Sequence, residues 1–128
     1  MLRPAKRPER RLKRDPIDRE TCARRAVALF NGGCYWEAHE ALEQIWRSVP
    51  DEEEAKRVQG LIQAAAALLH RQRGNLHGVR VVGEAALKNL EGRGHARVEF
   101  DTECFRDELA AALHDGAPAP RLRMRNER

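Results

Sequence analysis

Residues Gly60 to His70 read GLIQAAAALLH. Wound into a helix, the stretch from Leu61 to Leu69 is apolar nearly all the way round. Such a helix belongs at the centre of a bundle, with other helices laid against its sides. The run is about half of the ~20 residues that would cross a bilayer, so it predicts a buried centre and no membrane span. The rest of the chain must then supply covering helices, each with a single apolar stripe.

It does so at helical spacing. Asp18 stands as the N-cap of a first helix, whose Cys22, Ala26, Leu29 and Phe30 fall on one face. Asn31-Gly32-Gly33 ends it, because glycine tolerates the left-handed backbone of a helix terminus. A second helix runs from about Cys34 to Val49, and Pro50 closes it. Asp51 and Glu54 make a capping box for the central helix, which reaches Arg73 and stops at Gly74. Asn75 caps a fourth helix with Val79, Val82, Ala86, Leu87 and Leu90 aligned, ending near Gly92, and a loop follows through Phe100. Asp101 starts a fifth, with Phe105, Leu109 and Leu113 on one side and Gly116 after it. No alternating segment enriched in β-branched residues stands out. The short connections at 31–33, 50–51 and 74–75 make consecutive helices antiparallel or sharply crossed neighbours. The expectation is an all-α, compact multihelical domain of about five helices over residues 17–116, helices two and three forming an antiparallel hairpin.

Charge divides the chain. Residues 1–14 carry seven basic groups against Glu9, a net of +6, and residues 117–128 carry four against Glu127, a net of +3. Taken from the overall +4, these leave −5 for residues 15–116. The expected layout is a disordered basic arm at 1–16, an acidic helical body, and a basic tail at 117–128. Cys22, Cys34 and Cys104 are odd in number and far apart, which argues against a disulfide framework or a zinc knuckle and for a reducing compartment. The N-terminus has no apolar stretch behind its charges, so it does not read as a secretory signal. A cytoplasmic, soluble protein is the plain reading.

The chemistry-bearing residues concentrate in YWEAHEALEQIW, Tyr35 to Trp46. At 100° per residue, Tyr35, Ala38, Leu42, Ile45 and Trp46 share the apolar face. His39 and Glu43, one turn apart, lie at its edge, with Trp36 and Glu40 further round. On the central helix Gln59, Gln63 and His70 share one face, and buried polar groups there must find partners. Counting outward from Pro50 brings His39 level with about Gln63, and Glu43 level with about Gln59. The candidate site is therefore a polar seam of His39, Glu43, Gln59 and Gln63, with His39 and Glu43 at its centre, Gln63 orienting them, Glu40 or His70 at the margin, and Trp36 or Tyr35 as an apolar wall. His70 should meet the start of helix two, near Phe30 to Trp36, rather than His39. Gly60 borders this face and permits close backbone approach.

YWEAHEALEQIW, then GLIQAAAALLH, then RGN resemble a bacterial and archaeal family known as domain of unknown function 309. The similarity runs over about residues 20–92 and includes Phe30, Asn31, Gly33, Trp36, His39, Glu40, Glu43, Gln63, His70 and Asn75. The resemblance implies a compact multihelical fold, and it brings no established activity, substrate or catalytic residue with it.

Three functional readings stay open. A satisfied His/Glu/Gln network would fix the register of two helices and leave the domain as a structural or interaction module, including a homo-oligomer through an Ala/Leu face. Alternatively, His39 with Glu43 or Glu40 would form an acid–base pair in a small-molecule or metal-dependent, hydrolase-like site. HEALE differs from the zinc-protease HExxH only in its last letter, but two ligands are not a site. The Glu-x-x-His pair of di-iron bundles is missing too, since Trp36 and Ala67 precede the two histidines by three. No nucleophile accompanies the pair, for Ser48 is the nearby serine and Cys34 has no base within a turn. Hence no metal set is assigned, and the cofactor stays unknown. The third reading is non-specific nucleic-acid contact through residues 1–14 and 121–128. The acidic body, and arginines without interleaved aromatics, disfavour it.

Overall fold

The computed structural model describes residues 18–92 and 98–125. The basic arm expected at 1–16 lies outside them. The described residues form five helices: α1 (Arg19–Asn31), α2 (Tyr35–Ser48), α3 (Glu52–Gln72), α4 (Leu76–Asn89) and α5 (Thr102–Asp115). The fold is all-α, and no described helix is long and apolar enough to cross a membrane.

Four of the five helices begin where a side chain takes up a first-turn amide. Asp18 accepts from Thr21 N, Asp51 from Glu54 N, Asn75 from Gly78 N and Asp101 from Cys104 N, at 2.9–3.1 Å. The α2 N-cap, Cys34, makes no such bond. Two turns need the left-handed backbone: Gly33 (φ 80°) between α1 and α2, and Gly74 (φ 74°) between α3 and α4.

The central position of α3 follows from its composition. It packs on α2 along one side and on α4 along the other, while α2 also carries α1 and α4 also meets α5. Leu61, Ala64, Ala65 and Leu68 are buried between Leu42, Ile45 and Trp46 of α2 and Ala86, Leu87 and Leu90 from α4 and its C-cap. Alanine and glycine let these axes approach. A Cβ on Gly60 would come within 2.7 Å of Leu90 Cγ and 3.2 Å of the Ala86 carbonyl, so α4 crosses α3 there. Gln72 Nε2 donates to the Gly33 carbonyl at 3.1 Å, tying the end of α3 to the start of α2 as an antiparallel hairpin requires. Phe30 meets Tyr35 and Phe105 edge-on, at 5.1 and 5.3 Å between centroids, and so joins α1 to α2 and α5.

Residues 120–125, within the segment expected as a tail, are docked as a strap. Pro120, Leu122 and Met124 are buried, while Arg121 and Arg125 between and beyond them are exposed. Leu122 is 1% exposed and belongs to the core cluster. Asn31 at the end of α1 holds it from both sides, Nδ2 donating to Leu122 O and Oδ1 accepting from Leu122 N, each at 2.8 Å. An isolated antiparallel bridge pairs Phe100 with Met124, with Asp101 N donating to Arg123 O and Arg125 N to Glu99 O. Glu108 of α5 fastens the strap's charges. Its carboxylate accepts from Arg121 N at 2.8 Å and from Arg123 Nη1 at 2.9 Å.

One buried charge holds the other end of the molecule. Arg57 of α3 is 4% exposed; its Nη1 donates to the Asn89 carbonyl at 3.2 Å, and Nη2 lies 3.6 Å from Glu53 Oε1. It thus places a cation at the C-terminus of α4, where the helix dipole favours one. Gly92 leaves the space that its guanidinium fills.

Candidate functional site

The eight residues singled out by spacing fall into three places. His39 and Glu43 stay together on α2, with Nδ1 3.8 Å from Glu43 Oε1 and side chains 23% and 36% exposed. That separation is an ion-pair distance, too long for a hydrogen bond. His39 Nδ1 is a buried atom with no hydrogen-bond partner among the described residues. Its ring lies parallel to that of Trp36, 10° between planes and 5.3 Å between centroids. Trp36 is 53% exposed, so the stack covers part of the indole and leaves the rest in solvent. Glu40, one turn beyond Trp36, is exposed, as is Glu37.

Gln63 does not orient His39. Its Oε1 accepts from Asn89 Nδ2 of α4 at 2.6 Å. Gln59 and Gln63 line a groove of about 380 Å³ between α3 and α4, bordered by Lys56, Lys88 and Asn89. The seam therefore divides. α3 is covered on two sides, and its amide-bearing face turns to α4 instead of α2.

His70 belongs to the far end of the hairpin. Asn75 Nδ2 donates to its Nδ1 at 3.1 Å, which fixes the neutral ring as the Nε2–H tautomer. The ring packs on Gly78 of α4, where a Cβ would approach within 2.6 Å of it. Tyr35 is buried at the mouth of the same hairpin. Burial pushes its phenol above the ordinary value, and the nearby Arg71 charge opposes this in part.

The arrangement is thus a surface rather than a cleft: an indole backed by an imidazole, with carboxylates around it. Among the described residues, no three His, Cys, Asp or Glu side chains converge to hold a metal ion. His39 and Glu43 remain the titratable pair nearest one another on α2. Sequence reasoning missed Arg57, Asn89, the docked strap and the part Asn31 plays in holding it. Asn31 and Asn89 both stand at the C-terminal ends of helices, which is the one signal that marked them.

No curated protein and no solved structure matches the chain. The model of the family described as Domain of unknown function (DUF309) matches residues 23–82, the family that the motifs resemble, and that stretch holds all eight residues singled out by spacing.

Proposed function

We propose that the domain is an interaction module whose contact surface is the first half of α2, centred on Trp36 and His39 and rimmed by Glu37, Glu40 and Glu43. The observation that carries this reading is the half-exposed Trp36 ring stacked on His39. A large aromatic left in solvent and held in a fixed orientation is what contact surfaces present at their centres. The other candidate residues serve the fold, Gln63 through Asn89 and His70 through Asn75.

The test is site-specific photo-crosslinking in cells of the source organism, with the crosslinking residue placed at position 37 or 40 and, as a control, at exposed position 107 on α5. One identified protein recurring at 37 and 40, absent at 107 and lost on Trp36→Ala, supports the module. Equal adducts from all three positions would remove it.

A second reading has its own observation, the unpartnered Nδ1 of His39 beside Glu43. A small ligand with a hydrogen-bonding group would satisfy that nitrogen. Elemental analysis of protein purified without chelator or affinity-tag metal tests its metal form. Near-stoichiometric metal lost in His39→Ala would move the protein to that class. For the nucleic-acid reading, Arg123 is paired with Glu108 at 2.9 Å, which leaves it a poorer phosphate ligand than a free arginine.

A further inference from the structure

We infer that the partner of this surface is a basic protein segment that lays an arginine guanidinium against Trp36, an inference that rests on the first half of α2 being the contact site. Three observations converge on that chemistry. The Trp36 ring is backed by His39 on a parallel plane and is 53% exposed, so indole surface is open to a flat group. Glu40 lies one turn along α2 on the same side as Trp36, and Glu37 follows Trp36 about 100° further round; the side chains of both are exposed and without a hydrogen-bond or ion-pair partner among the described residues. Elsewhere the carboxylates of Glu20, Glu84, Glu99 and Glu108 are paired with basic side chains. Among the described residues Trp36 is the exposed large aromatic, so an aromatic plate near unpaired carboxylates is particular to this part of α2.

The complement is a cation that is also planar. A guanidinium stacks on an indole face and sends its N–H groups sideways to carboxylates, whereas an ammonium is a hydrated point charge. The positive end of the α2 dipole works against a bare cation near Tyr35. Glu37 and Glu40, with Glu43 one turn further, reverse that sign locally. The Arg71 charge is felt at Tyr35, one residue before Trp36, and makes no ion pair with Glu37 or Glu40.

The probe is a fluorescein-labelled dodecapeptide of alternating glycine and arginine, with its lysine counterpart, titrated into the full chain carrying Trp46→Phe so that Trp36 is the sole tryptophan. Expected are a Trp36 fluorescence response with the arginine peptide, weaker binding of the lysine peptide, and a Kd that rises with salt as the carboxylates are screened. Trp36→Ala should weaken binding about 2- to 5-fold, the size of an exposed cation–π contact. Glu37→Gln with Glu40→Gln should flatten the salt dependence, and circular dichroism should report an intact fold in each variant. Equal binding by Trp36→Ala, or equal binding of the two peptides, overturns the inference. So does a gain in affinity when Arg10 and Arg11 are changed to Gln, which would make this chain's own arm the occupant. If no peptide binds while crosslinks from positions 37 and 40 persist, the contact surface stands and the arginine chemistry falls. If both fail, both readings fall.

Discussion

Gly78 shows how finely single positions are set. The His70 ring occupies the place where a side chain at 78 would go, within 2.6 Å of an added Cβ. Gly78→Ala should therefore cost about 1–3 kcal/mol from overpacking, read by urea unfolding. In a His70→Ala background the same change should be neutral or stabilising by up to about 1 kcal/mol, because alanine is the better helix former. A double-mutant cycle measures the difference. His39 behaves in the opposite sense. Removing it loses a ring stack worth about 0.5–1.5 kcal/mol and also removes a buried nitrogen whose missing bond costs about 1–3 kcal/mol. His39→Ala should leave stability unchanged or slightly raised, and a loss above about 2 kcal/mol on urea unfolding would contradict the orphaned Nδ1. The pairing of His39 with Glu43 was legible from their four-residue spacing. The partner of Gln63 was not. Helical phase says which side of α3 a residue occupies, but a central helix has a neighbour on more than one side, and Asn89 won over His39 through the placement of α4.

Among the elements, the strap at 120–125 teaches most. Its burial alternates, with Pro120, Leu122 and Met124 inward, the period of an extended chain. PRLRMR carried that signal in the sequence, hidden because six residues rich in arginine read as a solvated tail. The helices were legible because caps and stripes agreed at Asp18, Asp51, Asn75 and Asp101. Asn31→Ala removes both side-chain bonds to Leu122 and should cost about 1–3 kcal/mol, with faster hydrogen exchange over 121–125 than over α3. Acid should loosen the same strap. Burial pushes the Glu108 carboxyl up, but the Arg121 amide and the Arg123 guanidinium outweigh it, and the net value is lowered. A carboxylate lowered by folding stabilises above its unfolded value and loses that contribution as pH falls through the folded one. Exchange protection of residues 121–125 should thus hold above about pH 4.3 and decline below it, and Glu108→Gln should abolish that step.

For the whole molecule, the division of charge leaves an acidic helical body, and two of its unpaired carboxylates, Glu37 and Glu40, lie on the same half of α2 as the exposed Trp36. Family likeness over 23–82 covers most of α1, all of α2 and α3 and part of α4, whereas α5 and the strap that close the core lie beyond it. Leu122→Ala should cost about 2–5 kcal/mol, as for other buried leucines. The kinetic form of that loss follows from where Leu122 lies along the chain. Asn31 and Leu122 are 91 residues apart, so their contact closes a long loop and comes late in folding. Stopped-flow measurements on Leu122→Ala should show faster unfolding and a nearly unchanged folding rate. During synthesis, too, the segment that seals the space between α1 and α5 leaves the ribosome after all five helices. The nascent domain carries an open slot beside Asn31 until Leu122 arrives, and in that interval another extended chain could fill it.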